Sequence, residues 1–478
     1  MSGYVVSGYE PASLFRYFEE ISAIPRGSFN EEKIADYLCN FAKKHELSFY
    51  RDEWQNVLIT RPATAGYEDR APVLLQGHTD MVCETDRDSD HDFSREGLKL
   101  YVKDGYLRAR GTTLGADNGV AVAAMLAVLD GTAPAHAPLE CLFTSKEEVG
   151  LLGATAFDYS KIKARQMINL DTGEEGVAIV SCSGGIRGII TAELPRVFAD
   201  GEGLMLRIGG LSGGHSGMDI HRRRANANKL MASLIDKASQ KTGICLVSVD
   251  GGNKDNAIPR ECIAKIKAAD RKVAMAVLRS AAEELKDKLQ SSDPGFYFSC
   301  EEREAEGDAF TADDTKRVIR LLNQLPDGVI EMSADFKNLV ETSSNIAVFK
   351  SGKNCVSIHC SCRSSIEEKL DKIISTISGM VLVEGFTVRW DGRYPGWAYD
   401  RNSLIREVYK LHYRRLFGRE PVFSAIHAGL ECGLVKNAIP DMDILSIGPA
   451  VYHVHTPRES LDLASFERFW KLLCAMLS

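Results

Sequence analysis

No stretch of this sequence approaches the roughly 18 consecutive apolar residues that a membrane-spanning helix needs. The opening Met1-Ser2-Gly3-Tyr4-Val5-Val6 lacks a basic segment followed by an apolar one, so no secretory signal is legible and the expected location is cytoplasmic. Positive charge is not in excess: 58 Lys and Arg against 66 Asp and Glu leave a net charge of −8. Nucleic-acid binders usually carry a basic patch, so neither nucleic acid nor membrane is an expected partner. The basic run His221-Arg222-Arg223-Arg224 is short and stands where a helix is expected to open. Low-complexity tracts and long linkers are missing. Twelve cysteines in 478 residues do not make a disulfide scaffold. Several lie in apolar runs, such as Cys141 in Leu139-Glu140-Cys141-Leu142-Phe143, and read as reduced core thiols. Cys360 and Cys362 are separated by one residue, which fits one face of a strand and not the spacing of a redox or zinc motif.

What is present is ordinary globular material, 44% hydrophobic and 26% charged. The length suffices for a large core and for two or three domain-sized units. Helical periodicity covers 11–25 and 30–46. Three strand-length runs follow: Val73-Leu74-Leu75, Leu139-Glu140-Cys141-Leu142-Phe143 and Gln166-Met167-Ile168-Asn169-Leu170. Between the first two, residues 118–129 are apolar nearly all round, which predicts a buried helix. Strands alternating with helices predict an α/β fold with a largely parallel sheet. Ligands of such sheets sit beyond the carboxyl ends of the strands. From about 187 to 398 the pattern becomes α+β, with amphipathic stretches at 222–239, 271–290 and 312–325. Asn256-Ala257-Ile258-Pro259 and Ser344-Asn345-Ile346-Ala347 each lead into a strand and then a helix, a weak echo that points to a duplicated unit. Past 400 the α/β character returns, ending in a helix near 461–477. The expected organisation is one domain, 1–186 and 399–478, interrupted by another at 187–398.

Polar residues gather at the predicted strand ends. In Gln76-Gly77-His78-Thr79-Asp80-Met81-Val82, His78 and Asp80 share a face, so Asp80 can orient an imidazole; a surface hydrogen bond reads the same way. Gly111-Thr112-Thr113-Leu114-Gly115-Ala116-Asp117-Asn118-Gly119 offers Asp117 as a helix cap or a ligand. Thr144-Ser145-Lys146-Glu147-Glu148-Val149-Gly150 carries adjacent carboxylates that point different ways, one for a metal and one for a proton. Asn169-Leu170-Asp171 and His453-Val454-His455-Thr456-Pro457-Arg458-Glu459 complete the set. Mixed imidazole and carboxylate ligands suit zinc or manganese. Five ligands exceed the about three that one catalytic zinc takes from protein. With one carboxylate bridging they serve two ions about 3.5–4 Å apart, leaving a glutamate as general base.

These five motifs, in order over essentially the whole chain, resemble the signatures of the co-catalytic di-zinc peptidase and aminoacylase family. Gly210-Leu211-Ser212-Gly213-Gly214-His215-Ser216-Gly217 and Ile426-His427-Ala428-Gly429-Leu430-Glu431-Cys432-Gly433 resemble its bacterial aminoacyl-histidine, or carnosine-type, dipeptidase branch. The resemblance implies a di-zinc catalytic domain interrupted by a lid, with two Zn2+ per subunit and Co2+ or Mn2+ as substitutes. It places His78 and Asp171 on one ion, Glu148 and His455 on the other, and Asp117 between them, followed by a cis Asp117–Asn118 peptide. Glu147 is then the general base and Asp80 the orienting partner of His78. His455 is preferred to His453 because Thr-Pro-Arg-Glu follows it. In the lid, the resemblance gives His215 the oxyanion and Arg363 the substrate carboxylate. Asn256 or Asn345 touches substrate, Asn256 being favoured because it keeps the proline of the pattern. Glu431 either receives the substrate's free amine or is a structural acid. The implied activity is hydrolysis of dipeptides, Xaa-His by preference. N-acyl amino-acid deacylation and a broader di- or tripeptidase activity are the alternatives. Glu147 and all five ligand candidates are present, which argues against a binding protein that has lost catalysis. The implied partner is a small peptide; monomer and homodimer both stay open.

Overall fold

The computed structural model describes residues 3–304 and 307–478. The chain divides into two compact units. One comprises Met1–Ser181, Tyr399–Ala425 and Leu430–Ser478; the other comprises Cys182–Ala398 and Ile426–Gly429. Beside the expected segments 1–186, 187–398 and 399–478, the first break falls slightly earlier and a short second crossing is added. Hydrogen bonds explain that crossing, since Ser183 N donates to the carbonyls of Ile426 (3.2 Å) and Ala428 (3.1 Å).

The first unit is built on an eight-stranded sheet. Its strand order is Ser48–Arg51, Val57–Arg61, Leu139–Thr144, Val73–His78, Gln166–Asn169, Asp443–Ser446, Val177–Cys182 and Val422–Ile426. Val73–His78 runs parallel to both its neighbours, and Gln166–Asn169 runs parallel to Asp443–Ser446. The parallel core is as the strand-helix alternation predicts. Antiparallel pairs flank it on both sides, at Val57–Arg61 with Leu139–Thr144 and at Asp443–Ser446 with Val177–Cys182. Val73–His78 and Leu139–Thr144 are buried at every position, the mark of strands covered on both faces. The helix Ala116–Leu129 connects them. Every residue of it except Asp117 is buried, so its near-absence of amphipathicity reflects a position inside the unit. The helices Ala12–Ser22 and Glu32–Lys44 are instead one-sided, with Leu14, Phe18 and Ile21, and Ile34 and Leu38, turned inward.

The second unit holds a nine-stranded, wholly antiparallel sheet. The main path is Tyr297–Glu302, Glu202–Gly209, Cys262–Ala268, Ile244–Gly251, Val340–Ser351, Cys355–Ser364, Gly184–Glu193 and Thr387–Tyr394, with Gly328–Met332 also paired to Val340–Ser351. The path splits into two four-stranded halves of identical β-α-β-β-α-β order, 4-1-3-2 by position in each half. The first half carries the helices Ala227–Ser239 and Arg271–Leu289; the second carries Ala312–Gln324 and Glu367–Val383. The first is inserted between the first strand and first helix of the second. The echo in sequence is off register with this topology. Asn345 lies within the second strand of its half, whereas Asn256 lies in the turn after the second strand of the other.

The basic run does not open a helix. Ile220–Arg222 is a single 3-10 turn, Arg223 takes φ +52°, and the helix starts at Ala227 behind an Asn226 cap. Arg222 turns onto Asp219 at 3.2 Å and Arg224 donates to the Gly213 carbonyl, so the charges are absorbed locally. Nine of the twelve cysteines are buried, Cys360 and Cys362 among them. No helix of the described residues is long and apolar enough to cross a membrane.

Candidate metal centre

Three parallel strands deliver three polar segments to one edge of the first unit's sheet. His78 ends Val73–His78; Glu147 and Glu148 follow Leu139–Thr144; Asp171 follows Gln166–Asn169. Asp117 adds the first turn of the buried helix, the place that helix leaves partly exposed. His455 comes from a turn in which it takes φ +62°, an unusual backbone for a non-glycine residue. The structure brings all six together.

His78 Nε2 lies 3.1 Å from Asp117 Oδ1, 3.7 Å from Asp171 Oδ1 and 3.9 Å from Glu147 Oε2. His455 Nε2 lies 3.3 Å from Asp117 Oδ2 and 3.0 Å from Glu148 Oε1. The two oxygens of Asp117 therefore face different histidines. Ligand atoms of His78, Asp117 and Glu148 all fall within 4.8 Å of one another. Asp80 is completely buried and supports the others. One oxygen accepts Glu147 N (3.0 Å); the other accepts Glu148 N (3.3 Å) and Ser28 Oγ (2.8 Å). His78 Nδ1 lies 3.1 Å from the Asp80 carbonyl and 3.5 Å from its carboxylate. The Asp117–Asn118 peptide is cis. Asn118 Oδ1 accepts His78 N (3.2 Å) and its Nδ2 donates to the Leu170 carbonyl (2.8 Å), joining three of the segments. His453 sits exposed in the His455 turn, where its carbonyl accepts Thr456 Oγ1.

The electrostatics are those of crowded acids. Burial pushes Glu147 well above the ordinary carboxylate range, against the pull of His78 and with the help of Asp171 and Glu431. Burial, with Asp117 and Glu148 beside it, raises Asp171 to about 7. Burial opposes charge on His78, yet Asp171, Asp117 and Asp80 outweigh it and hold the imidazole well above its usual value. Hydrogen bonds that its ring donates to Asp117 and Glu148 raise His455 to about 10. So many carboxylates can share this volume only with protons or cations among them. The imidazole and oxygen donor set, and the division of Asp117 between two histidines, fit divalent cations.

Glu431 opens the helix Glu431–Ala438 and is buried. Its Oε2 accepts Gln76 Nε2 and Thr144 Oγ1 (2.7 Å), and burial raises its carboxyl to about 7. It bears on the strands that end at His78 and Thr144 from within the unit, and its buried Oε1 has no hydrogen-bond partner.

The second unit collects its own cluster. His215 Nδ1 accepts the N–H groups of Gly217 (3.2 Å) and Met218 (3.0 Å), so Nε2 is left as the donor. Arg363 is buried, gives Nη1 to Tyr394 Oη at 2.5 Å, and has no partner at Nε. His427 is buried with Nε2 2.7 Å from Ser343 Oγ; burial, then the nearby Arg363, lowers it to about 3. Asn256 is exposed in a turn whose carbonyl accepts Ser216 N (2.8 Å). Asn345 is buried, with Nδ2 engaged by the Ala257 carbonyl at 2.9 Å. Sequence reasoning assigned nothing to Arg26, Ser28, Tyr394 or Ser343. Glu459 lay inside a quoted motif without a role. Arg26 and Glu459 act on backbone carbonyls and amides, and Ser28, Tyr394 and Ser343 each through one side-chain hydrogen bond from a distant segment, so none leaves a spacing signal in the chain.

This fold and site belong to a known class. The model of peptidase family M20/M25/M40 matches residues 74–478, and the chain belongs to that family. It is 38% identical over 476 residues to the cytosol non-specific dipeptidase of Escherichia coli (strain K12), covering 99% of this chain and 98% of that one. The crystal structure of aminoacylhistidine dipeptidase from Vibrio alginolyticus superposes with a TM-score of 0.93 at 35% identity, covering 100% of this chain and 98% of that one. Aminopeptidase PepT from Bacillus cereus shares the fold at 17% identity and a TM-score of 0.57, over 97% of each chain.

Proposed function

We propose that the protein hydrolyses the peptide bond of dipeptides with two zinc ions per subunit, held by His78, Asp171, Glu148 and His455 with Asp117 shared. The observation that carries this is Asp117, whose two oxygens face His78 and His455 separately beside the half-buried Glu147. When bound, such cations supply positive charge that polarises a carbonyl and acidifies water. Glu147 takes a proton from the attacking water at its carboxylate and returns it to the nitrogen of the leaving amine, so the bond to carbon is exchanged for one to oxygen. His215 Nε2 donates to the developing oxyanion. Arg363, with its free Nε–H, takes the terminal carboxylate as a fork. Asp80 fixes His78 and the backbone of Glu147 and Glu148.

Preference for Xaa-His is supported by the name of the Vibrio relative. The name of the Escherichia relative supports a broader dipeptidase, the second reading. The test uses metal-stripped protein with zinc restored, and dipeptides matched in their first residue with and without C-terminal histidine. Wild type is expected to hydrolyse dipeptides, faster with histidine. Glu147→Gln is expected to bind zinc and lose activity about 100- to 10,000-fold. An active Glu147→Gln removes the proposed base; equal rates across the panel select the broader reading.

A further inference from the structure

Arg26 and Glu459 have no part in the chemistry above, yet between them they meet three of the ligand-bearing segments. Glu459 lies four residues beyond His455 and is buried. Its Oε2 accepts the N–H groups of Leu114 (2.9 Å) and Gly115 (3.0 Å); its Oε1 accepts those of Ala116 (2.8 Å) and Asp117 (3.3 Å). These open the helix Ala116–Leu129, whose own N-cap, Gly115, has no side chain to offer. A distant carboxylate thus performs the capping that the local sequence omits. Arg26 works from the other side. Nη2 donates to the Gly115 carbonyl (2.5 Å), and Nη1 to the carbonyls of Thr79 (3.0 Å) and Asp80 (3.3 Å). Room for the guanidinium is built in: a Cβ at Gly115 or Gly119 would come within 2.6 or 2.8 Å of Nη2.

We infer that Arg26 and Glu459 are positioning residues that hold the Asp117 turn between its two histidines, Glu459 locking it to the His455 turn and Arg26 to the His78–Asp80 strand end. The inference rests on the ligand assignment proposed above. Its consequence is asymmetric. His78 keeps its own supports in Asn118 and Asp80, whereas the described contacts tie the Asp117 turn to the His455 turn chiefly through Glu459. Removing that carboxylate therefore acts on the cation held by Glu148 and His455. A merely stabilising role would not separate the two cations.

The experiment is cobalt binding by metal-stripped Glu459→Gln, read by titration calorimetry and by the visible absorption of bound Co2+. Glutamine keeps the size of the side chain but sets an NH2 against two N–H donors. One of two cobalt ions is expected to weaken about 10- to 100-fold, as for other groups that orient ligands, with the other within about threefold of wild type. Wild-type affinities for both, or equal loss of both, overturn the inference. Should the variant not fold, hydrogen exchange on metal-free wild type decides. Amides 114–117 are expected to be protected like the helix they open, and free exchange there beside a protected helix overturns the inference. If wild type takes up fewer than two ions, the dinuclear reading fails, and the exchange measurement still tests the lock.

Discussion

His427 shows how burial beside a cation sets a charge state. It is held at about 3 by desolvation and by Arg363, while an unfolded histidine titrates near 6.5. Between those values the unfolded chain binds a proton that the folded chain refuses. Stability is therefore full above about pH 6.5 and falls as the pH drops towards 3, with a slope of up to about 1.4 kcal/mol per pH unit from this group. Denaturant unfolding of wild type and His427→Gln between pH 4 and 8 measures it. Carboxylates at the metal centre titrate in both proteins and cancel in the difference. Wild type is expected to lose more stability on acidification; parallel profiles would exclude the effect.

At the scale of elements, close approach decides more than propensity. Gly77 lets the strand Val73–His78 lie against the helix Ala116–Leu129. A Cβ there would sit 2.3 Å from Ala121 Cβ and 2.3 Å from Asn118 Oδ1. Gly77→Ala is expected to cost about 1–3 kcal/mol by overpacking, and to weaken metal binding by displacing Asn118 from His78 N. Gly379, in the helix Glu367–Val383, has nothing within 4 Å of such a Cβ. Gly379→Ala is expected to stabilise by about 0.5–1 kcal/mol, because alanine loses less backbone freedom in a helix. Urea unfolding of both variants reads the opposite signs. The three parallel strands and the buried helix were legible because an apolar run of strand length, or one without a polar face, has few other places to go. The helix at 222–239 was misjudged at its start because periodicity cannot register Arg223 in the left-handed region or Arg222 folding back on Asp219.

For the whole molecule, the crowded acids of the metal centre tie stability to cations. Metal at 100 times its dissociation constant stabilises by about 2.7 kcal/mol per site when only the folded state binds. A chelator is expected to lower the unfolding temperature, and zinc to restore it in a concentration-dependent way. Hydrogen exchange should report the loss at His78, Asp117, Asp171 and His455 and not in the strand Glu202–Gly209. An unchanged unfolding temperature would mean that protons alone balance the site. The same scale explains the second unit. Its two halves share one strand order, which the echo at Asn256 and Asn345 does not follow in register.

The sequence by itself determined the alternation of strands and helices, the parallel core and which histidines and carboxylates stand at the strand ends. Each depends on residue type at short range, and carboxylates and histidines at strand ends keep their meaning without coordinates. Only the tertiary structure puts Asp117 between two histidines, buries Glu431 under Gln76 and Thr144, and brings Arg26 and Glu459 onto the Asp117 turn. Those are contacts between segments up to hundreds of residues apart, many of them to backbone atoms that every residue possesses. No pattern along the chain can encode which backbone group a distant side chain will meet.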